Sequence, residues 1–168
     1  MSVFLVSKAY LRENSPITQN VQEKDLFPHV TAAQDNYTQK ILGSEFYNHI
    51  LESFSAQTLN DAEITLVSDY IKPQVLWRTI DLAMPWMANN LRGKGVLRNT
   101  DENAVVSSFQ ELNYLRNEAK NRAEFQEQLL FDYLKKNVNV FPEYKTQDDP
   151  LIEKSDDDNQ YDNDIIFY

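Results

Sequence analysis

Apolar residues recur along most of this chain at the three- and four-residue steps of a helix face and seldom alternate. Leu26, Val30, Ala33, Tyr37 and Ile41 stand 4, 3, 4 and 4 residues apart, one face of a helix. Asp25 is placed to cap its start, Pro28 fits its first turn, and Gly43 stops it. Ser44 can cap a second, shorter helix whose face is Phe46, Tyr47, Ile50, Leu51 and Phe54. Asn60 and Glu63 have the spacing of a capping box and open a helical region that reaches about Leu91. Its apolar positions are Ile64, Val67, Ile71, Leu76, Ile80, Ala83, Met84 and Met87, with Trp77 and Trp86 adding bulk. Pro73 and Pro85 predict breaks or kinks in it, and Gly93-Lys94-Gly95 ends it.

The flanks are less regular. Residues 1–24 read as irregular, with a short strand at Ser2–Ser7 and a turn at Asn14-Ser15-Pro16. Val96-Leu97-Arg98 and Ala104-Val105-Val106 flank a polar stretch and read as a small hairpin. A long helix then runs from about Ser108 to Lys136, opened by a second capping-box pair, Ser108 and Glu111. At 1.5 Å per residue it spans about 43 Å, more than a compact domain of this size needs, so one end is expected to project. Phe141-Pro142-Glu143-Tyr144 closes the folded part. The expectation is a mainly α fold: a small helical bundle over residues 1–145, with one long C-terminal helix and a short β-hairpin before it. Residues 146–168 are expected to form a flexible acidic tail with an apolar end, Ile165-Ile166-Phe167-Tyr168.

Composition supports that outline. The chain has 168 residues, 42% apolar and 12% aromatic, enough for one core. Only three glycines argue against an all-β fold, which needs glycine at many tight turns. The net charge is −10, but it is uneven. From Phe141 onward nine acids face two bases, a net −7, which leaves −3 for residues 1–140. No basic patch stands out, so tight nucleic-acid binding is not expected. Without cysteine there is no disulfide framework, thiol nucleophile or thiolate metal site. Val3-Phe4-Leu5-Val6 is too short for a signal sequence core, and no run approaches the roughly 20 apolar residues of a membrane span.

The residues that carry chemistry are sparse. His29 and His49 are not at a metal-ligand spacing and read as surface or core-edge residues. There is no G-x-S-x-G elbow, and Gly93-Lys94-Gly95 lacks the rest of a phosphate loop. Glu124 and Glu127 form an E-x-x-E pair of the kind that all-α nucleotide pyrophosphatases use to hold Mg²⁺. Asp61, Glu63, Asp69 and Asp81 give it no matching second pair. At 100° per residue, with Leu112 at zero, the apolar stripe Leu112, Leu115, Ala119, Ala123, Leu130, Tyr133 and Leu134 lies between about −60° and 40°. Glu124 falls near 120°, so a solvated face is the expectation, with no catalytic residue, metal or cofactor. Ala119 and Ala123 mark where another element approaches closely. Tyr114 and Phe125 fall near 200–220°, opposite the stripe, and are candidate subunit or partner contacts.

The N-terminal third carries a resemblance. Asn20-Val21, then Asp25-Leu26-Phe27-Pro28-His29-Val30-Thr31-Ala32-Ala33-Gln34-Asp35, then Ile41-Leu42-Gly43 and Phe46-Tyr47 resemble the opening of head–tail connector (adaptor) proteins of tailed bacteriophages. Phe4-Leu5-Val6-Ser7 and Ser15-Pro16-Ile17-Thr18 are similar to the version in phages of Bacteroidetes, including the crAss-like group. Val30 stands where isoleucine is commoner in that motif, and Phe46 where leucine is. The match covers residues 3–54, and the rest agrees in layout: a long helix ahead of a Phe-Pro-Glu-Tyr segment.

The resemblance implies a structural neck protein of the virion, assembled in the host cytoplasm. Such proteins form a homo-oligomeric ring, usually of twelve subunits, beneath the portal. The ring joins head to tail and extends the channel for the passing genomic DNA, without gripping it. The implied partners are other copies of the chain, the portal protein and the next tail or ring protein, with no membrane partner. The apolar end Ile165, Ile166, Phe167 and Tyr168 is the expected reach to a neighbour. Another ring or stopper of the same neck or tail is the nearest alternative. Two readings of other classes stand beside it: an all-α Mg²⁺-dependent nucleotide hydrolase, and an acidic DNA-mimic inhibitor, whose acids should be spread over the folded body.

Overall fold

A computed structural model describes residues 3–16, 21, 23–92, 95–98 and 109–145. These are mainly helical. α1 (Lys8–Glu13) is capped by Ser7, whose hydroxyl accepts the Tyr10 N–H. The strand expected just before it does not form among the described residues. Instead the Gln34 side chain stands in for a neighbouring strand: its Oε1 accepts from the Leu5 N–H (2.9 Å) and its Nε2 donates to the Val3 carbonyl (3.1 Å).

α2 (Glu23–Ala33) begins two residues before the expected start. Pro28 is therefore inside the helix, and Asp25 joins Glu23 in the first turn, where acids favour the helix dipole, rather than capping it. A π-helical turn (Gln34–Thr38) follows, with the Gln39 N–H bonded five residues back to Gln34, and then α3 (Gln39–Leu42). That extra residue rotates the next face by about 100°. The spacing alone puts Tyr37 and Ile41 in the core; in fact Thr38 and Leu42 are buried, while Tyr37 and Ile41 are half-buried.

Gly43, at φ 77° and ψ 161°, turns the chain through backbone space that is essentially closed to other residues. α4 (Ser44–Ala56) starts directly after it and buries Phe46, Tyr47 and Ile50. Ser44 does not cap it; its hydroxyl accepts from Gln39 Nε2 (3.1 Å). α5 (Asp61–Thr65) carries the expected capping box, with Asn60 Oδ1 taking the Glu63 N–H and Glu63 Oε2 taking the Asn60 N–H. A second π turn (Leu66–Ile71) leads into α6 (Lys72–Ala88), with the Lys72 N–H reaching back five residues to Val67. Pro73 comes next, with no N–H to give and a ring that crowds the preceding turn. The widened turn absorbs it, so the expected break becomes a π turn. Pro85 lies inside α6.

The hairpin ahead of the long helix is present, but one strand earlier than expected. β1 (Asn89–Arg92) pairs antiparallel with β2 (Gly95–Arg98), Asn89 opposite Arg98 and Arg92 opposite Gly95. The residues expected to be the end of a helix are the first strand. Ala104–Val106, expected as the second, lie outside the described residues.

α7 (Phe109–Lys136) has 28 residues and a length of about 42 Å. It packs antiparallel to α6 and the π turn before it: Tyr70 of that turn stacks on Tyr133 (ring centroids 4.0 Å apart), Arg122 lies over Trp77, and Arg78 meets Glu127. α8 (Pro142–Lys145) closes the fold, with Phe141 buried 5.4 Å from the Phe46 ring. The core gathers Leu5, Val6, Leu11, Val30, Phe46, Ile50, Leu66, Ile71, Leu76, Leu130, Leu134 and their neighbours. The expected tail, 146–168, lies outside the described residues.

Candidate functional site: the outer face of the long helix

What holds α7 in place is charged as well as apolar. Arg78, buried in α6, donates from Nε and Nη2 to the two oxygens of Glu127 (2.9 and 2.8 Å) and from Nη1 to Asp81 Oδ2 (2.9 Å). Its guanidinium lies 4.1 Å from the Tyr37 ring centroid. Gln74, fully buried, donates to Glu127 (3.3 Å) and accepts from the Thr38 hydroxyl (2.6 Å). The π turn at 34–38 is what brings Thr38 and Tyr37 to this cluster. Burial works against the Arg78 charge, but Glu127 and Asp81 outweigh it and hold the guanidinium more firmly protonated than usual. Arg116 Nε stands 3.4 Å from Asp81 Oδ1, an ion pair without hydrogen-bond geometry.

This cluster settles where the E-x-x-E pair points. Glu127 faces Arg78 with both oxygens and is turned inward, away from the solvated face expected for the pair. Glu124 is exposed and lies 3.6 Å from Lys120 one turn back, as expected. Among the described residues, no group of three or more His, Asp or Glu side chains is placed to hold a metal ion. The two histidines are at the core edge. His49 is bonded to Glu63 (2.7 Å), and His29 lies 6.4 Å from the Trp86 ring, with burial pushing its pKa down. Tyr47, bonded to Asp35 (2.9 Å), is pushed up to about 12 mainly by burial.

The opposite side of α7 is where apolar surface meets water. Tyr114 is 71% exposed and Phe125 61%, as their positions on the helix wheel implied. Leu115 (49%) and Leu129 (38%) join them. Leu115 was expected in the core stripe. It is exposed because the core ends short of it: from Gln110 to Glu118 no described side chain is buried, and Ala119 is the first that is. Thus the N-terminal end is the one that reaches beyond the core, with the last turns of α6 beside it. Ala119 and Ala123 are buried, as the small-residue positions implied. Leu129, near 260° on the same wheel, is a companion to Phe125 that the helix periodicity also marks, although it is not aromatic. Ile165, Ile166, Phe167 and Tyr168 lie outside the described residues.

No helix among the described residues is long and apolar enough to cross a membrane. Neither a curated protein nor a solved structure matches the chain significantly. Residues 38–150 match a family of unknown function, DUF6712, across α3 to α8 and beyond. That is well over half the sequence, and the chain belongs to this family.

Proposed function

We propose that this chain is a structural protein of a tailed-phage neck, forming a homo-oligomeric ring beneath the portal that joins head to tail and extends the DNA channel. The observation that carries the reading is the outer face of α7. Tyr114, Leu115, Phe125 and Leu129 are large apolar side chains left in water on a helix whose core-facing side is already packed from Ala119 onward. Residues of that kind contribute most to protein–protein contacts. The connector-like segment at residues 3–54 supplies the identity of the assembly. Net negative charge suits a channel through which DNA must slide, because a basic lumen would hold the phosphates. The apolar end Ile165–Tyr168 is the proposed reach to the adjoining ring.

The arrangement at Glu127 favours this reading over a Mg²⁺-dependent nucleotide hydrolase. A carboxylate already bonded through both oxygens to Arg78 is a poor ligand for a hydrated cation. Imaging of portal–neck complexes that carry a labelled chain tests the proposal. A ring of label at the portal vertex is expected. Absence from particles, a single copy, or Mg²⁺-dependent nucleotide hydrolysis by the purified chain overturns it.

A further inference from the structure

Six residues of α7 are exposed at alternating steps of four and three: Glu111, Leu115, Glu118, Arg122, Phe125 and Leu129. That is the step of a heptad seam, which flanks the stripe that faces α6, with Leu115 and Arg122 on the border between the two. It runs for about 27 Å. Within the helix Arg122 Nε lies 3.0 Å from Glu118, and the Arg122 guanidinium rests 4.7 Å from the Trp77 ring centroid, which fixes its direction.

We propose that this seam pairs, antiparallel and about a two-fold axis, with the same seam of a second copy of the chain. The charges select that occupant. Centred between Glu118 and Arg122, the pairing sets Leu115 against Phe125 of the second copy, and Glu118 against its Arg122. The axis repeats both contacts, giving two apolar and two opposite-charge contacts. Glu111 faces Leu129 only at the two ends, where a carboxylate stays in water. Other alignments of the same seam fail. A parallel pairing opposes Glu118 to Glu118 and Arg122 to Arg122. Sliding the antiparallel pair by one heptad sets Leu115 against Glu118 in one direction and against Asp132 in the other.

The inference goes beyond the ring and does not rest on it, since it needs only a second copy in solution. Because it occupies the face assigned above to neck contacts, the pair and the assembled ring are alternative states of the chain.

Sedimentation equilibrium of the full chain tests this, with Glu118→Arg, Arg122→Glu, the double exchange and Phe125→Asp. A two-chain species is expected for the unaltered protein. Each single charge reversal weakens it about tenfold or more, the double exchange regains most of that, and Phe125→Asp abolishes it. Thermal melts confirm that each variant is folded. A single-chain mass at every concentration up to about 1 mM overturns the proposal, including the case in which the chain's own C-terminal residues cover the seam. So does a pair that the double exchange fails to restore. A larger oligomer indifferent to these charges overturns the pair and leaves the ring reading standing. A charge-dependent pair in a chain absent from phage necks does the reverse.

Discussion

Along one side of α7, Ala119, Ala123, Leu130 and Leu134 are buried, and Glu127 is locked to Arg78. Along the other, Phe125 and Leu129 stand in water on the same turns, and Tyr114 stands in water ahead of Ala119. The first side is small or branched and closely packed, so its residues act on folding. The second is large and unpacked, so its residues have little to lose when the chain is alone. One helix thus carries stability on one face and, in our reading, association on the other. Substitutions should separate the two.

The largest effect is expected at Arg78. Arg78→Met leaves Glu127 without its cation and Asp81 with only the exposed Arg116, 3.4 Å away. It should cost about 3–5 kcal/mol in chemical denaturation. Replacing all three by apolar residues should cost far less, because no buried charge is then left over. A cost within about 0.5 kcal/mol for Arg78→Met alone would place the cluster outside the stability-bearing face.

Next comes Ala123→Leu, which forces extra volume where α7 meets α6. About 1–3 kcal/mol of destabilisation is expected. No change in the melting temperature would mean that the helices do not approach closely at Ala123.

Phe125→Ala sits on the other side of the comparison. It should change monomer stability by less than about 0.5 kcal/mol while weakening association clearly. A loss of several kcal/mol in the isolated chain would make Phe125 a core residue.

The smallest effect concerns pH, at the far end of α6. Burial holds the His29 pKa below its ordinary value, so the unfolded chain takes up the proton first. Stability should be indifferent to this group above about pH 6.5 and should fall as pH drops below it. Comparing melting curves with those of His29→Gln isolates the effect. Equal acid sensitivity in both proteins would show that His29 contributes none of it.

Much of this was legible in the sequence, and the failures have a common cause. The capping box at Asn60, the stop at Gly43, the long helix, its small positions Ala119 and Ala123, and its exposed aromatics all follow from local spacing. The π turns do not. A single inserted residue shifts a helix face without changing which residue types appear, so Thr38 and Leu42 replaced Tyr37 and Ile41 in the core. The Arg78–Glu127 pair joins residues 49 apart in sequence, and no local pattern announces it. The wheel puts Leu115 in the stripe because it shows direction and not where the core ends. The α1 helix is not apparent in the sequence although Ser7 is a good cap, since Ser2–Ser7 reads as a strand and the six residues of α1 are too few to show a face.

The most direct measurement of the central claim is hydroxyl-radical footprinting of Tyr114 and Phe125, in the dilute free chain and in assembled portal–neck particles. The account predicts strong labelling of both rings in the free chain and protection of both in the particles, with the buried Phe46 and Phe141 unlabelled throughout. Equal labelling of Tyr114 and Phe125 in both samples would contradict it.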